Sequence, residues 1–198
     1  MQKYQTKDLN MLDNILFVRH LKTPSNLIKR YAGQQDVEVA IFPEKIEQLE
    51  KIHSDPIILI SPMKRCQQTL SHIEKLLGYK FINIIVLDEL KERNLGVWEN
   101  RLKIDIIKEY PEFFYNNIFD LTRTPPEGES FFEILKRAES VIKVIDQIND
   151  GNQILICSHN QLLKILTSQL YQFDFTRNFD FRNGKIYDKE DMYNEIRI

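Results

Sequence analysis

The chain has 198 residues, of which 42% are hydrophobic and 28% are charged, as is usual for a globular protein. A net charge of −2 with no long basic block argues against a nucleic-acid partner, although a local basic pocket can still bind a small anion. No apolar run reaches the roughly 18 residues of a membrane-spanning helix. The two cysteines form no disulfide or zinc pattern, so the sequence predicts a cytoplasmic protein without a membrane partner.

The predicted elements begin after a polar arm over residues 1–13. Apolar residues from Ile15 to Val18 predict a buried strand that stops on Arg19 and His20. Helices and strands then alternate, with a helix over 43–53, a strand over 56–60, a helix over 64–77 ending at Gly78, and a strand over 81–87.

The second half of the chain continues this alternation after an irregular middle. Its regular elements are a helix over 104–110, a long amphipathic helix over 129–149, a strand over 153–157 and a helix over 162–170. The aromatic-rich stretch within about 100–126 is predicted to be an insertion that covers part of the site, with an extra core helix as the alternative. Asn183-Gly184 is a hairpin turn signal, so antiparallel strands over 179–181 and 186–187 are expected at the sheet edge.

The predicted order of elements indicates the fold class. Strands that alternate with helices favour an α/β protein, here a three-layer α/β/α sandwich with a mostly parallel central sheet and an antiparallel edge. Residues 14–198 are expected to form a single domain that contains the insertion.

Polar side chains follow three of the predicted strands. Arg19 and His20 end the first strand, Arg65 lies just after the second, and His159 follows the strand over 153–157. Ligands of parallel sheets bind beyond the carboxyl ends of the strands, so these groups are expected to converge. Arginine forks match phosphate oxygens, and a neutral histidine nitrogen can act as a nucleophile. Each residue alone has an ordinary structural explanation, but together they predict a phosphoryl-transfer site.

Such a reaction also needs a proton donor for the departing alkoxide. A carboxylic acid whose pKa is raised by a neighbouring phosphate suits this role. Glu89 and Glu92, in the acidic loop after the third strand, are the candidates that the residues themselves leave open.

Five short motifs stand in a fixed order along the chain. They are Arg19-His20-Leu21-Lys22-Thr23, the segment 61–69 with Ser61, Arg65 and Thr69, Glu92 to Glu99, Pro126 to Ser130, and Ser158-His159. In this order they resemble the histidine phosphatase superfamily, in its phosphoglycerate mutase-like branch. The resemblance covers about residues 14 to 188.

The resemblance implies a phosphoglycerate mutase-like fold and a role for each matching residue. His20 is implied to be the phosphorylated nucleophile, and Glu92, by its spacing from Gly96, the proton donor and later the base for water. The implied ligands of the phosphoryl group are Arg19, Arg65, His159 and Asn26. No metal or other cofactor is required, because cationic side chains supply the electrostatic stabilisation. The implied partner is a small phosphorylated metabolite, and the oligomeric state is not indicated.

Three departures from the family pattern leave the function open. Leu21 stands where glycine is usual, Lys22 replaces a common Glu or Gln, and Asn160 replaces the glycine after the second histidine. The favoured function is hydrolysis of a small phosphomonoester, because mutases of this family tend to be longer. The alternatives are a mutase-type isomerase and a phosphate-binding or scaffold protein weakened in catalysis by Leu21 and Asn160.

Overall fold

The strands of the chain form two sheets in the computed structural model, which describes residues 12–53, 55–174 and 179–196. They are β1 (Ile15–Arg19), β2 (Ile57–Ile60), β3 (Ile84–Val86), β4 (Phe114–Tyr115), β5 (Ile118–Phe119), β6 (Ile154–Ser158) and β7 (Ile186–Tyr187). The larger sheet has the order β3-β2-β6-β1-β7, in which only β7 runs antiparallel to its neighbour. The predicted mostly parallel sheet with an antiparallel edge is therefore confirmed.

Helices cover both faces of this sheet. They are α1 (Pro24–Leu27), α2 (Lys64–Leu77), α3 (Lys103–Glu109), α4 (Phe131–Ile148), α5 (Asn160–Tyr171) and α6 (Lys189–Ile196). Side chains of a strand point alternately to opposite faces, so Ile15 and Phe17 pack in the cluster that holds α4 and α5. Leu16 and Val18 pack with α2 on the other face, which confirms the three-layer sandwich. In the described part of the chain, every helix is too short or too polar to cross a membrane.

One end each of α2 and α4 lies close to the predicted bound. Gly78 ends α2 in the left-handed region at φ 78°, and its N–H donates to the carbonyl of Glu74 at 2.9 Å. Ser130 begins α4 with a capping box, in which its hydroxyl accepts from the Glu133 N–H and the Glu133 carboxylate accepts from the Ser130 N–H. Both boundaries lie within two residues of the prediction.

The predicted helix over 43–53 is wrong, because the structure has only a 3-10 turn over Leu49–Lys51 there. Gln48 has a left-handed φ of 64°, which interrupts a right-handed helix, and the carbonyl of Glu47 accepts from Ile186 of β7 instead. The apolar spacing that suggested a helix is real, since Ile46 is buried in the core.

The predicted hairpin near the carboxyl end is also wrong in part. Residues 179–181 form no strand, and β7 pairs with β1. Phe181 is instead buried against Phe17 and Tyr187 with ring centroids 6.5 and 5.1 Å away. The strand predicted over 81–87 is the shorter β3 at the sheet edge, and α6 was not predicted.

The aromatic stretch folds around the fully buried ring of Trp98. It forms α3, a 3-10 turn over Pro111–Phe113 and the β4–β5 hairpin, and α3 places Ile106 in the small core around Trp98. The surrounding rings are Tyr31, Tyr110, Phe113, Phe114 and Phe119. Its covering of the site stays a prediction. Of the predicted arm, residues 1–11 lie outside the described residues, and Leu12 is buried in the core.

Candidate active site

The two histidines lie side by side at the carboxyl edge of the sheet. Strands β1 and β6 are parallel neighbours in which Arg19 stands opposite Ser158, so the next residue of each strand is His20 or His159. The His20 N–H donates to the Ser158 carbonyl at 3.1 Å and keeps the strands together beyond the ladder. The ring centroids of His20 and His159 are 5.2 Å apart, and both side chains are buried.

The surroundings of His20 fix which ring nitrogen carries the hydrogen. Its Nδ1 lies 2.7 Å from the carbonyl oxygen of Leu21, which can only accept, so Nδ1 is the donor. In the neutral ring, Nε2 then keeps its lone pair. Burial, followed by the charges of Arg19 and Arg65, lowers the pKa of His20 well below its usual value. The ring is therefore neutral near pH 7, as a nitrogen nucleophile has to be.

His159 has the opposite tautomer. Its Nδ1 accepts from the Nε of Arg65 at 3.1 Å, so its Nε2 carries the hydrogen and donates to the Ser61 hydroxyl at 2.9 Å. Burial and the nearby charge of Arg65 lower the pKa of His159 well below its usual value. Ser61 belongs to a motif of the sequence, but no role was predicted for it.

Arg65 is almost completely buried at the start of α2 and is held by the loop after α1. Its terminal nitrogens donate to the carbonyls of Gln35 at 2.7 Å and Gly33 at 2.8 Å. Gly33 has a left-handed φ of 53°, and a Cβ there would overlap the carboxylate of Glu99. The loop therefore requires glycine at this position to hold the guanidinium beside His159.

Arg19 reaches the same region from the end of β1. Its NH1 donates to the carbonyl of Phe181 at 2.9 Å, while its buried Nε has no hydrogen-bond partner within the described ranges. Burial lowers the pKa of Arg19, and the carboxylates of Glu92 and Asp180 raise it. Arg19 thus presents a guanidinium donor next to two acidic side chains.

Glu92 lies half-buried in the loop after β3. Burial lowers the pKa of both Arg19 and Arg65, and Glu92 is close enough for its charge to oppose part of that lowering. Its Oε1 accepts from the Arg93 N–H at 3.0 Å, and its backbone carbonyl accepts from the Gln34 side chain at 2.9 Å. The loop fixes Glu92 near the basic cluster, and its role as proton donor stays a prediction.

Asn26 has a structural contact in addition to any role with a ligand. Its Oδ1 accepts from the N–H and the hydroxyl of Thr23, which caps α1. Its Oδ1 also lies 3.4 Å from the Nδ2 of Asn183, which donates to the His20 carbonyl at 2.8 Å. The Oδ1 of Asn26 is thus used within the loop, and its Nδ2 is the atom that can donate to a ligand.

The side chains at positions 21 and 160 contact residues other than the two histidines. The Leu21 side chain packs in the core, where a Cβ on Gly184 would lie 2.6 Å from its Cδ2, so Gly184 makes room for it. The Asn160 amide bonds Asp180 and Phe181. Lys22 is exposed. Within the described ranges, no three His, Cys, Asp or Glu side chains are grouped to hold a metal ion.

Because both histidines are neutral in the folded chain, we expect the stability of the fold to depend on pH. The pKa values of His20 and His159 are lowered in the folded chain, so below about pH 6.5 the unfolded chain binds protons that the folded chain does not. The free energy of unfolding should then decrease as the pH is lowered below about 6.5, by up to about 1.4 kcal/mol per pH unit for each ring. Urea denaturation between pH 7.5 and 5 checks this, and His159→Gln should flatten the slope. An equal slope in that variant would contradict the assignment.

Comparisons with known proteins identify the family of the chain. The family model of the histidine phosphatase superfamily (branch 1) matches residues 15–189. The adenosylcobalamin/alpha-ribazole phosphatase of Escherichia coli is 26% identical over 172 residues, which cover 83% of this chain and 82% of that protein. A probable phosphoglycerate mutase of Yersinia enterocolitica is 28% identical over 162 residues, 79% of this chain and 74% of that protein.

A solved structure also has the same fold. The native mycobacterial glucosyl-3-phosphoglycerate phosphatase superposes with a TM-score of 0.68 at 19% identity, covering 87% of each chain. The match of the family model to most of the sequence, together with relatives named as phosphatases, confirms the predicted phosphatase class. The chain belongs to the histidine phosphatase superfamily, branch 1.

Proposed function

We propose that the protein hydrolyses a small phosphomonoester through a phosphohistidine on His20. The observation that carries this proposal is the tautomer of His20, whose Nδ1 donates to the Leu21 carbonyl and leaves the Nε2 lone pair available. A second imidazole and two guanidiniums adjoin that ring, as a transferring phosphoryl group requires.

In the first step, Arg19 and Arg65 bind the oxygens of the phosphoryl group and neutralise its charge. The Nε2 lone pair of His20 forms a bond to phosphorus as the bond from phosphorus to the ester oxygen breaks. Glu92, in its acid form, transfers a proton to that oxygen, and the product leaves as an alcohol. His159, bonded to Arg65 and Ser61, helps to stabilise the charge that develops on the phosphoryl oxygens.

In the second step, water takes the place of the alcohol. Glu92, now a carboxylate, accepts a proton from the water while the water oxygen forms a bond to phosphorus. The bond from His20 Nε2 to phosphorus breaks and returns its electron pair to the ring. The products are one alcohol and one orthophosphate, and both Glu92 and His20 are restored.

Two observations support a small phosphomonoester as the substrate class. The guanidiniums of Arg19 and Arg65 can bind the oxygens of one phosphoryl group, and the Escherichia coli relative is named an adenosylcobalamin/alpha-ribazole phosphatase. A mutase-type isomerase would use the same residues but return the phosphoryl group to another oxygen of the substrate. A scaffold protein would bind phosphate without breaking the ester.

A panel of phosphomonoesters distinguishes these functions. The purified chain, tested with and without a chelator, is expected to release orthophosphate from at least one small alkyl or aryl phosphate. Isomer formation without orthophosphate would favour the mutase. Phosphate binding without turnover on any ester would favour the scaffold, and either result would overturn the proposed hydrolase.

A further inference from the structure

Asn160, the residue that replaces the family glycine, connects the second histidine to Arg19 through one short segment. Its Nδ2 donates to Asp180 Oδ1 at 2.6 Å, and its Oδ1 accepts from the Phe181 N–H at 2.9 Å. The carbonyl of Phe181 in turn accepts from Arg19 NH1 at 2.9 Å. The Asn160 side chain therefore holds both Asp180 and Phe181, and the Phe181 carbonyl is the acceptor for the Arg19 guanidinium.

The backbone of this segment has little other support. Residues 180 and 181 belong to no strand, so no ladder of backbone hydrogen bonds fixes them. Lys164, one turn further along α5, lies 3.7 Å from the Asp180 carboxylate and adds a second contact from the same helix. The buried ring of Phe181 anchors the other side of the segment. The start of α5 thus sets where the Phe181 carbonyl stands.

The chemistry of an asparagine side chain suits this double contact. It offers one acceptor oxygen and two N–H donors, and the oxygen and one donor are used here at once. Glycine supplies neither group, and aspartate would lose the donor and place a carboxylate beside Asp180. Because Arg19 Nε has no partner of its own in the described part of the chain, the NH1 bond to Phe181 is the contact that orients the guanidinium.

We propose that Asn160 is a positioning residue that orients Arg19 toward the phosphoryl group, an inference that rests on the proposed function. It holds the segment of Asp180 and Phe181 so that the guanidinium of Arg19 faces the same site as His20. A small displacement of a group that binds a transition state costs as much as on the order of 10²-fold in rate.

The test is a double-mutant cycle with Arg19, read by kcat/KM on p-nitrophenyl phosphate and by inhibition with orthovanadate. Asn160→Ala should lower kcat/KM and weaken vanadate binding on the order of tenfold. In the Arg19→Ala background, Asn160→Ala should change neither kcat/KM nor vanadate binding by more than about twofold, because the guanidinium that Asn160 positions is absent. Equal losses in both backgrounds, or no loss in either, would overturn the proposal.

A swap of the two side chains keeps the proposal testable if Asn160→Ala folds poorly. Asn160→Asp should weaken vanadate binding, and Asp180→Asn added to it should restore binding, because the pair again has one donor and one acceptor. If the double variant Asn160→Asp with Asp180→Asn binds vanadate no more tightly than Asn160→Asp alone, the proposal is overturned.

Asn14→Ala is the matched control, since Asn14 bonds Gly151 at the opposite end of β1 and should not affect vanadate. A parent chain that neither hydrolyses esters nor binds vanadate would overturn the proposed function and this inference with it. A fully active parent with an equally active Asn160→Ala would overturn the inference alone.

Discussion

His20→Ala is expected to lower kcat on any phosphomonoester by about 10⁴-fold or more, because the variant has no nitrogen to take the phosphoryl group. Removing the group that forms the covalent intermediate usually costs more than removing a binding residue, since the two-step route is lost. Release of orthophosphate, followed against a background without enzyme, measures the effect.

The control for this variant is a histidine outside the site. His72 Nε2 donates a hydrogen bond to the Pro43 carbonyl at 2.7 Å and its ring packs against Phe42, so His72→Gln should keep the activity of the parent chain. A His20→Ala enzyme that retains a tenth or more of the parent rate, roughly, would contradict the nucleophile assignment. Thermal unfolding of both variants separates loss of chemistry from loss of folding.

Glu92→Gln is expected to slow the enzyme most on substrates with poor leaving groups. An alkoxide needs a proton as it leaves, whereas p-nitrophenolate leaves without one, so the first step on the aryl ester should be largely spared. The second step still needs a base for water. The variant should therefore give a burst of p-nitrophenolate followed by slow turnover, with kcat on alkyl esters lower by about 10²–10⁴-fold.

Stopped-flow absorbance on the aryl ester detects the burst. Glu89→Gln is the matched control, because Glu89 lies three residues earlier in the same loop and its carbonyl holds Arg137. Full activity in Glu92→Gln together with a burst in Glu89→Gln would transfer the acid role to Glu89. A first step on the aryl ester that is slowed in Glu92→Gln as much as turnover of the alkyl esters would argue against proton transfer by this residue.

The parts of the site that follow directly from strands were readable in the sequence. An apolar run that stops on a polar pair marks both a strand and its carboxyl end, so Arg19, His20 and His159 could be placed on one sheet edge before any geometry was known. The Arg65 position followed from a strand, a short turn and a helix start. These signals are local, and the parallel sheet brings them together.

The remaining features depend on contacts between distant segments. The residues around Gln48 give no indication of its left-handed φ. The predicted turn at Asn183-Gly184 is present, but the Gly184 N–H donates to the Arg19 carbonyl, and no hairpin forms. The double contact of Asn160 joins it to residues 20 and 21 positions further along the chain. Sequence spacing alone does not encode such pairings, because each depends on how a segment is packed by the rest of the fold.

The most direct test of the account is to trap the covalent intermediate. Glu92→Gln is mixed with a radiolabelled aryl phosphate, quenched in alkali within the burst, and digested for peptide mapping. We expect one phosphoryl group per chain, stable in alkali and lost in acid, on the peptide that contains His20. Label on Ser61, on Cys66 or on His159, or a burst without any label on the protein, would contradict it.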